Sequence, residues 1–92
     1  MSTHAMLVPD TPEWDRAWSA LGDPVAEDPD SGETWQYMGS VRQSDGLWYH
    51  EFRHRCLPVG YHVAMPPILG NITRQANGRV NVAVPAAREW TP

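Results

Sequence analysis

Asp45-Gly46 lies between two runs in which apolar residues alternate with polar ones, Trp35 to Arg42 and Trp48 to Cys56, and this constrains the fold more than any other feature. An Asp-Gly pair suits the tight connection of a hairpin, and flanking alternation of period two marks half-buried strands. The stretch from Thr34 to Cys56 is therefore expected as a β-hairpin. A two-residue loop would pair Gln43 with Trp48, Val41 with His50, Gly39 with Phe52, Tyr37 with His54 and Trp35 with Cys56. One face then holds Trp35, Tyr37, Val41, Trp48, Phe52 and Cys56 with His50 and His54. The other holds Gln36, Met38, Ser40, Arg42, Tyr49, Glu51, Arg53 and Arg55. A three-residue loop would set Trp35 opposite Arg55 and mix the faces, so the sorted register is expected.

A helix precedes the hairpin. Thr11-Pro12-Glu13 supplies a hydroxyl N-cap, a proline at the first helical position and an acid in the first turn. Trp14, Ala17, Trp18 and Leu21 share one face, and Gly22 followed by Asp23-Pro24 is the stop. Residues 1–10 show no period and are expected as a loose lead-in. The acid-rich stretch 23–33 reads as an exposed loop. Asp28, Asp30 and Gly32 superficially resemble a calcium loop, but the sixth and twelfth places hold Glu33 and Gly39 rather than the required Gly and Glu.

After the hairpin, Leu57-Pro58-Val59-Gly60 suits a tight turn and Tyr61 to Met65 alternates as a strand closed by Pro66-Pro67. Residues 68–78 are ambiguous. Val80, Val82 and Val84 form a further strand stopped by Pro85, and Ala86 to Trp90 could make one helical turn that returns Trp90 to the core. The sum is an α+β domain over residues 1–92: one N-terminal helix on a three- to four-stranded antiparallel meander. Five Trp, three Tyr and one Phe supply the large side chains that a core this small needs.

Composition limits the function. Eleven acids against seven cations, all Arg, give a net charge of −4, which disfavours a generic nucleic-acid binder. A single cysteine, Cys56, excludes an internal disulfide. No apolar run of ~18 residues and no leader pattern is visible, so a cytoplasmic location away from membranes is the expectation. There is no Gly-rich phosphate loop and no Gly-x-Ser-x-Gly elbow, so no cofactor is expected.

His50-Glu51-Phe52-Arg53-His54 matches the zinc-hydrolase pattern H-E-x-x-H. On a helix its two His lie about 6 Å apart on one face, and the Glu activates metal-bound water. On a strand they lie ~13 Å apart and Glu51 points to the opposite face. A helical reading has some support: Ser44 could cap it, Trp48, Phe52 and Cys56 fall at i, i+4, i+8, and His62 is available as a third ligand. The Asp-Gly turn and the sorted strand faces favour the hairpin and no metal.

The hairpin's outer face gathers Arg42, Arg53 and Arg55 with Tyr49. Arg and Tyr are enriched at interfaces. The expectation is a small protein-binding module, an inhibitor or adaptor of a larger assembly, contacting a protein partner through these four residues. Two alternatives remain open: a minimal zinc hydrolase using His50, His54 and His62 with Glu51 as base, and a nucleic-acid contact through the Arg/Tyr face.

Overall fold

The computed structural model describes residues 3–58, 71–74 and 79–92. The expected strand Tyr61 to Met65, its Pro66-Pro67 stop and His62 lie outside the described residues. Among those residues the elements are β1 (His4–Ala5), α1 (Pro12–Leu21), β2 (Trp35–Arg42), β3 (Trp48–Pro58), β4 (Asn71–Arg74) and β5 (Arg79–Pro85). The protein is α+β: α1 packs on one antiparallel sheet ordered β1-β2-β3-β5-β4. Since β5 lies between β3 and β4, the last two strands depart from a strict meander.

Thr11 stands in extended conformation before α1, and its Oγ1 accepts the Trp14 N–H. Gly22 closes the helix in the left-handed region, its N–H on the Ser19 carbonyl. The inward face carries Trp14, Ala17, Trp18 and Leu21. Trp14 meets Trp18 and Tyr37 edge-on at 5.6 and 5.5 Å, and Trp18 meets Phe52 at 4.9 Å. Trp14, Trp18 and Phe52 are fully buried. Each such ring removes ~150–250 Å² from water, worth on the order of 4–6 kcal/mol before entropy is charged against it. Val82 and Val84 of β5 complete this core from the sheet side.

The hairpin forms, but in another register. Gln43 N–H donates to the Leu47 carbonyl and Gly46 N–H to that of Gln43, leaving the three-residue loop Ser44-Asp45-Gly46. Gly46, at φ 81°, supplies the left-handed step that a three-residue loop needs. Pairing then runs Arg42 with Trp48, Val41 with Tyr49, Ser40 with His50 and Gly39 with Glu51. A bulge between Tyr37 and Gly39 shifts it by one residue, so that Tyr37 pairs with Phe52, Gln36 with Arg53 and Trp35 with His54. The odd loop reverses the alternation and the bulge reverses it back. Trp35, Tyr37, Phe52 and both His therefore reach the helix side as expected. Ser40 and Val41 exchange places: Ser40 is buried opposite His50, and Val41 lies half-buried beside Tyr49.

Three further expectations are corrected. The lead-in is tied down: β1 pairs with β2, and Leu7 is buried in the core. Leu57 and Pro58 continue β3 rather than opening a tight turn. The acidic loop is anchored as well as solvated, since Asp23 Oδ2 accepts the N–H groups of Thr34 and Trp35, and the Ala26 carbonyl accepts Trp14 Nε1–H at 2.8 Å. The chain end turns at residues 87–90 and brings a half-buried Trp90 against the core.

Candidate functional site

On the sheet face away from α1, Gln36 and Arg53 are cross-strand partners, and Arg53 Nη2 donates to Gln36 Oε1 at 2.7 Å. Gln36 Nε2 in turn donates to Asp30 Oδ1 at 2.6 Å. Arg55, two residues along β3 and so on the same face, donates from Nη1 to the carbonyls of Asp30 and Gly32, both at 2.6 Å. These four residues enclose a polar recess of about 420 Å³. The acidic loop is thus a neighbour of the Arg pair. Tyr49 shares the face nearer the tip, where its hydroxyl donates to Asp45 Oδ2 at 2.7 Å. The Leu47 N–H and this hydroxyl hold the Asp45 carboxyl below its usual range, and the carboxylate raises the Tyr49 phenol. Arg42 does not join them. It alternates with Ser40 and pairs with Trp48, which puts it on the helix side of the sheet.

H-E-x-x-H lies on β3, in extended chain. Glu51 is half-buried on the outer face, while His50 and His54 are buried on the inner one with Phe52 between them. Four steps along the strand set the two imidazoles ~13 Å apart. His54 stacks edge-on to Trp35 at 5.0 Å. The helical alternative therefore fails, and with it the geometry in which His50 and His54 would share one ion with Glu51 as base. Among the described residues, no group of three His, Cys, Asp or Glu is placed to hold a metal.

His50 belongs to a buried chain of hydrogen bonds. Its Nε2 is 2.7 Å from Glu13 Oε2, and its Nδ1 is 2.6 Å from Ser40 Oγ. Ser40 Oγ is 2.5 Å from the Tyr37 hydroxyl, which accepts the Leu7 N–H at 2.8 Å. Since a carboxylate only accepts, Nε2 carries the proton and Nδ1 is left to accept. One direction satisfies every member: Leu7 N–H to Tyr37, Tyr37 to Ser40, Ser40 to His50, His50 to Glu13. Glu13 Oε2 also accepts from Arg16 Nη1 at 3.2 Å and from the Ala87 N–H at 3.0 Å. Trp90 covers the imidazole edge-on at 4.8 Å. Burial lowers the His50 pKa below 6.5, partly opposed by the Glu13 carboxylate and reinforced slightly by Arg16. Burial also raises the Tyr37 phenol, against the bonds from Ser40 and Leu7.

Ser, His and Glu in contact resemble a nucleophilic triad in composition only. Ser40 and His50 are 1% and 0% exposed, so no substrate carbonyl can reach the hydroxyl. The chain acts as a clamp joining the N-terminal segment, β2, β3, α1 and the C-terminal segment. Sequence reasoning missed it because Glu13 reads locally as a first-turn acid and Ser40 as an outward residue. The one sequence trace is Gly39, since a glycine inside a strand pattern signals a bulge. No protein-family model, no curated protein and no solved structure matches this chain.

Proposed function

We propose that the protein is a small binding module that presents the outer sheet face, centred on Arg53 with Tyr49 and Arg55, to a carboxylate-rich protein surface. The observation that carries this reading is the state of Arg53. The residue is half-buried, its guanidinium is oriented by the Gln36 amide oxygen, and among the described residues it meets no carboxylate within ion-pair distance. A planar donor fork held in place by a neutral acceptor keeps its charge for an incoming carboxylate and loses little freedom on binding. Occupying a partner's surface, as a small inhibitor or adaptor does, requires no catalytic cleft.

Selection of a displayed random-peptide library on the immobilised protein tests the reading. Enriched sequences should be rich in Asp and Glu and should weaken with salt. Affinity should fall about tenfold or more for Arg53→Ala and further for Arg53→Glu, with folding retained. Neutral or basic winners, or undiminished binding by Arg53→Glu, would refute it.

A further inference from the structure

The N-terminal segment, the first turn of α1 and the C-terminal segment enclose a groove of about 460 Å³, lined by none of the outer-face residues considered above. That volume lies in the range of small-molecule sites. Met6 and Val8, 58% and 64% exposed, form one side of its apolar lining, and Pro12 and Trp90 add to it. The ionisable side chains on the lining are Glu13 and Glu89, with no cation among them.

Glu13 is the unusual member. Its side chain is only 9% exposed, and its Oε2 takes all three donors of the clamp: Arg16, His50 and Ala87. Its Oε1 accepts no hydrogen bond among the described residues. Oε1 is not sealed from solvent, so a donor arriving from the groove exchanges water for a charge-assisted contact. Arg16 offsets the charge of Glu13 through Oε2, which leaves exposed Glu89 to set the sign of the groove. Two exposed apolar side chains, an indole and a net negative charge match one kind of ligand: a cation on a short hydrocarbon body.

We propose that this groove binds a small organic amine, with its ammonium on Glu13 Oε1 and Glu89 and its hydrocarbon on Met6, Val8, Pro12 and Trp90. The site is independent of the Arg53 face.

The test is an NMR titration of isotope-labelled protein with n-hexylammonium, n-hexanol and n-hexanoate, three probes of one length and different charge. Hexylammonium should shift the Trp90 indole N–H and the Val8 amide saturably. Hexanol should bind about tenfold more weakly, the loss of one charge-assisted contact, and hexanoate should not saturate. Glu89→Gln, at an exposed position, should weaken hexylammonium severalfold. Val8→Arg, which brings a competing cation to an exposed position, should abolish its binding without unfolding the chain. Equal binding of the three probes, an unshifted Trp90 indole, or full binding by Val8→Arg would overturn the proposal.

Discussion

His50 Nε2 lies 2.7 Å from Glu13 Oε2, so a residue of β3, the central strand of the sheet, is bonded to the first turn of α1 across 37 positions of sequence. The contact fixes the imidazole tautomer and joins helix to sheet by a charge-assisted bond beside the aromatic core. It also commits the residue that opens H-E-x-x-H to the interior.

The first consequence is a pH dependence. Burial lowers the His50 pKa below the ordinary 6.5, so on acidification the unfolded chain takes up this proton before the folded one does. Its contribution is complete above about pH 6.5 and is lost as pH falls toward the folded-state value, with a slope of at most about 1.4 kcal/mol per pH unit. Urea midpoints at about pH 8 and about pH 5.5, above the carboxylate range, should fall on acidification for the wild type and change less for His50→Gln. A wild-type midpoint that rises on acidification would contradict this sign.

Removing the Tyr37 hydroxyl should be felt at both of its partners. Tyr37→Phe leaves the buried Leu7 N–H without its acceptor and takes a donor from Ser40. A loss of about 1–3 kcal/mol is expected from chemical denaturation. Ser40→Ala should cost a similar amount, because it leaves His50 Nδ1 unpaired. The double variant should lose less than the sum, as members of one network do. Strict additivity would mean that the chain is not connected as described.

Gly32 is expected to be among the least replaceable residues of the loop. A Cβ there would lie 2.1 Å from the Trp35 carbonyl oxygen and 2.6 Å from Trp18 Cη2. Since neither a strand backbone nor a fully buried indole can yield cheaply, Gly32→Ala should lower stability by about 1–3 kcal/mol or more. Gly22→Ala, where the added methyl meets open space and only the backbone is strained, should cost about 1 kcal/mol. Thermal melts of the two variants give the comparison, and reversal of their order would count against the packing of Trp18 under the loop.

Arg53 and Arg55 should separate in stability although they share a face. Arg53→Ala removes one half-exposed bond to a side chain and should leave the melting temperature within a few degrees. Arg55 holds two backbone carbonyls of the 30–32 loop, so Arg55→Ala should loosen that loop and cost about 0.5–1.5 kcal/mol. Hydrogen exchange at residues 30–34 reports the difference, and equal exchange in both variants would argue against the loop-holding role.

How far the sequence foretold this arrangement depends on how local each determinant is. The helix was legible because its determinants are contiguous: Thr11 and Pro12 start it, Gly22 ends it, and Trp14, Ala17, Trp18 and Leu21 share one face. The hairpin was legible as a hairpin, and its aromatic face as a face. Its register was not, because a three-residue loop and a bulge at Met38-Gly39 each shift the pairing by one. Their effects cancel for Trp35, Tyr37 and Phe52 but not for Ser40, Val41 and Arg42 between them. Arg42 thereby left the expected contact face and Ser40 entered the core. The Glu13–His50 contact had no local signal, since it exists only once α1 has docked on the sheet.

The most direct test of the account is a backbone NMR map of the protein titrated with an acidic peptide selected as above. The account predicts perturbations over Gln36, Tyr49, Glu51, Arg53 and Arg55, while the imidazole resonances of His50 stay fixed in the Nε2–H form. Perturbations centred on His50 and Glu13, with the outer sheet face unmoved, would contradict it.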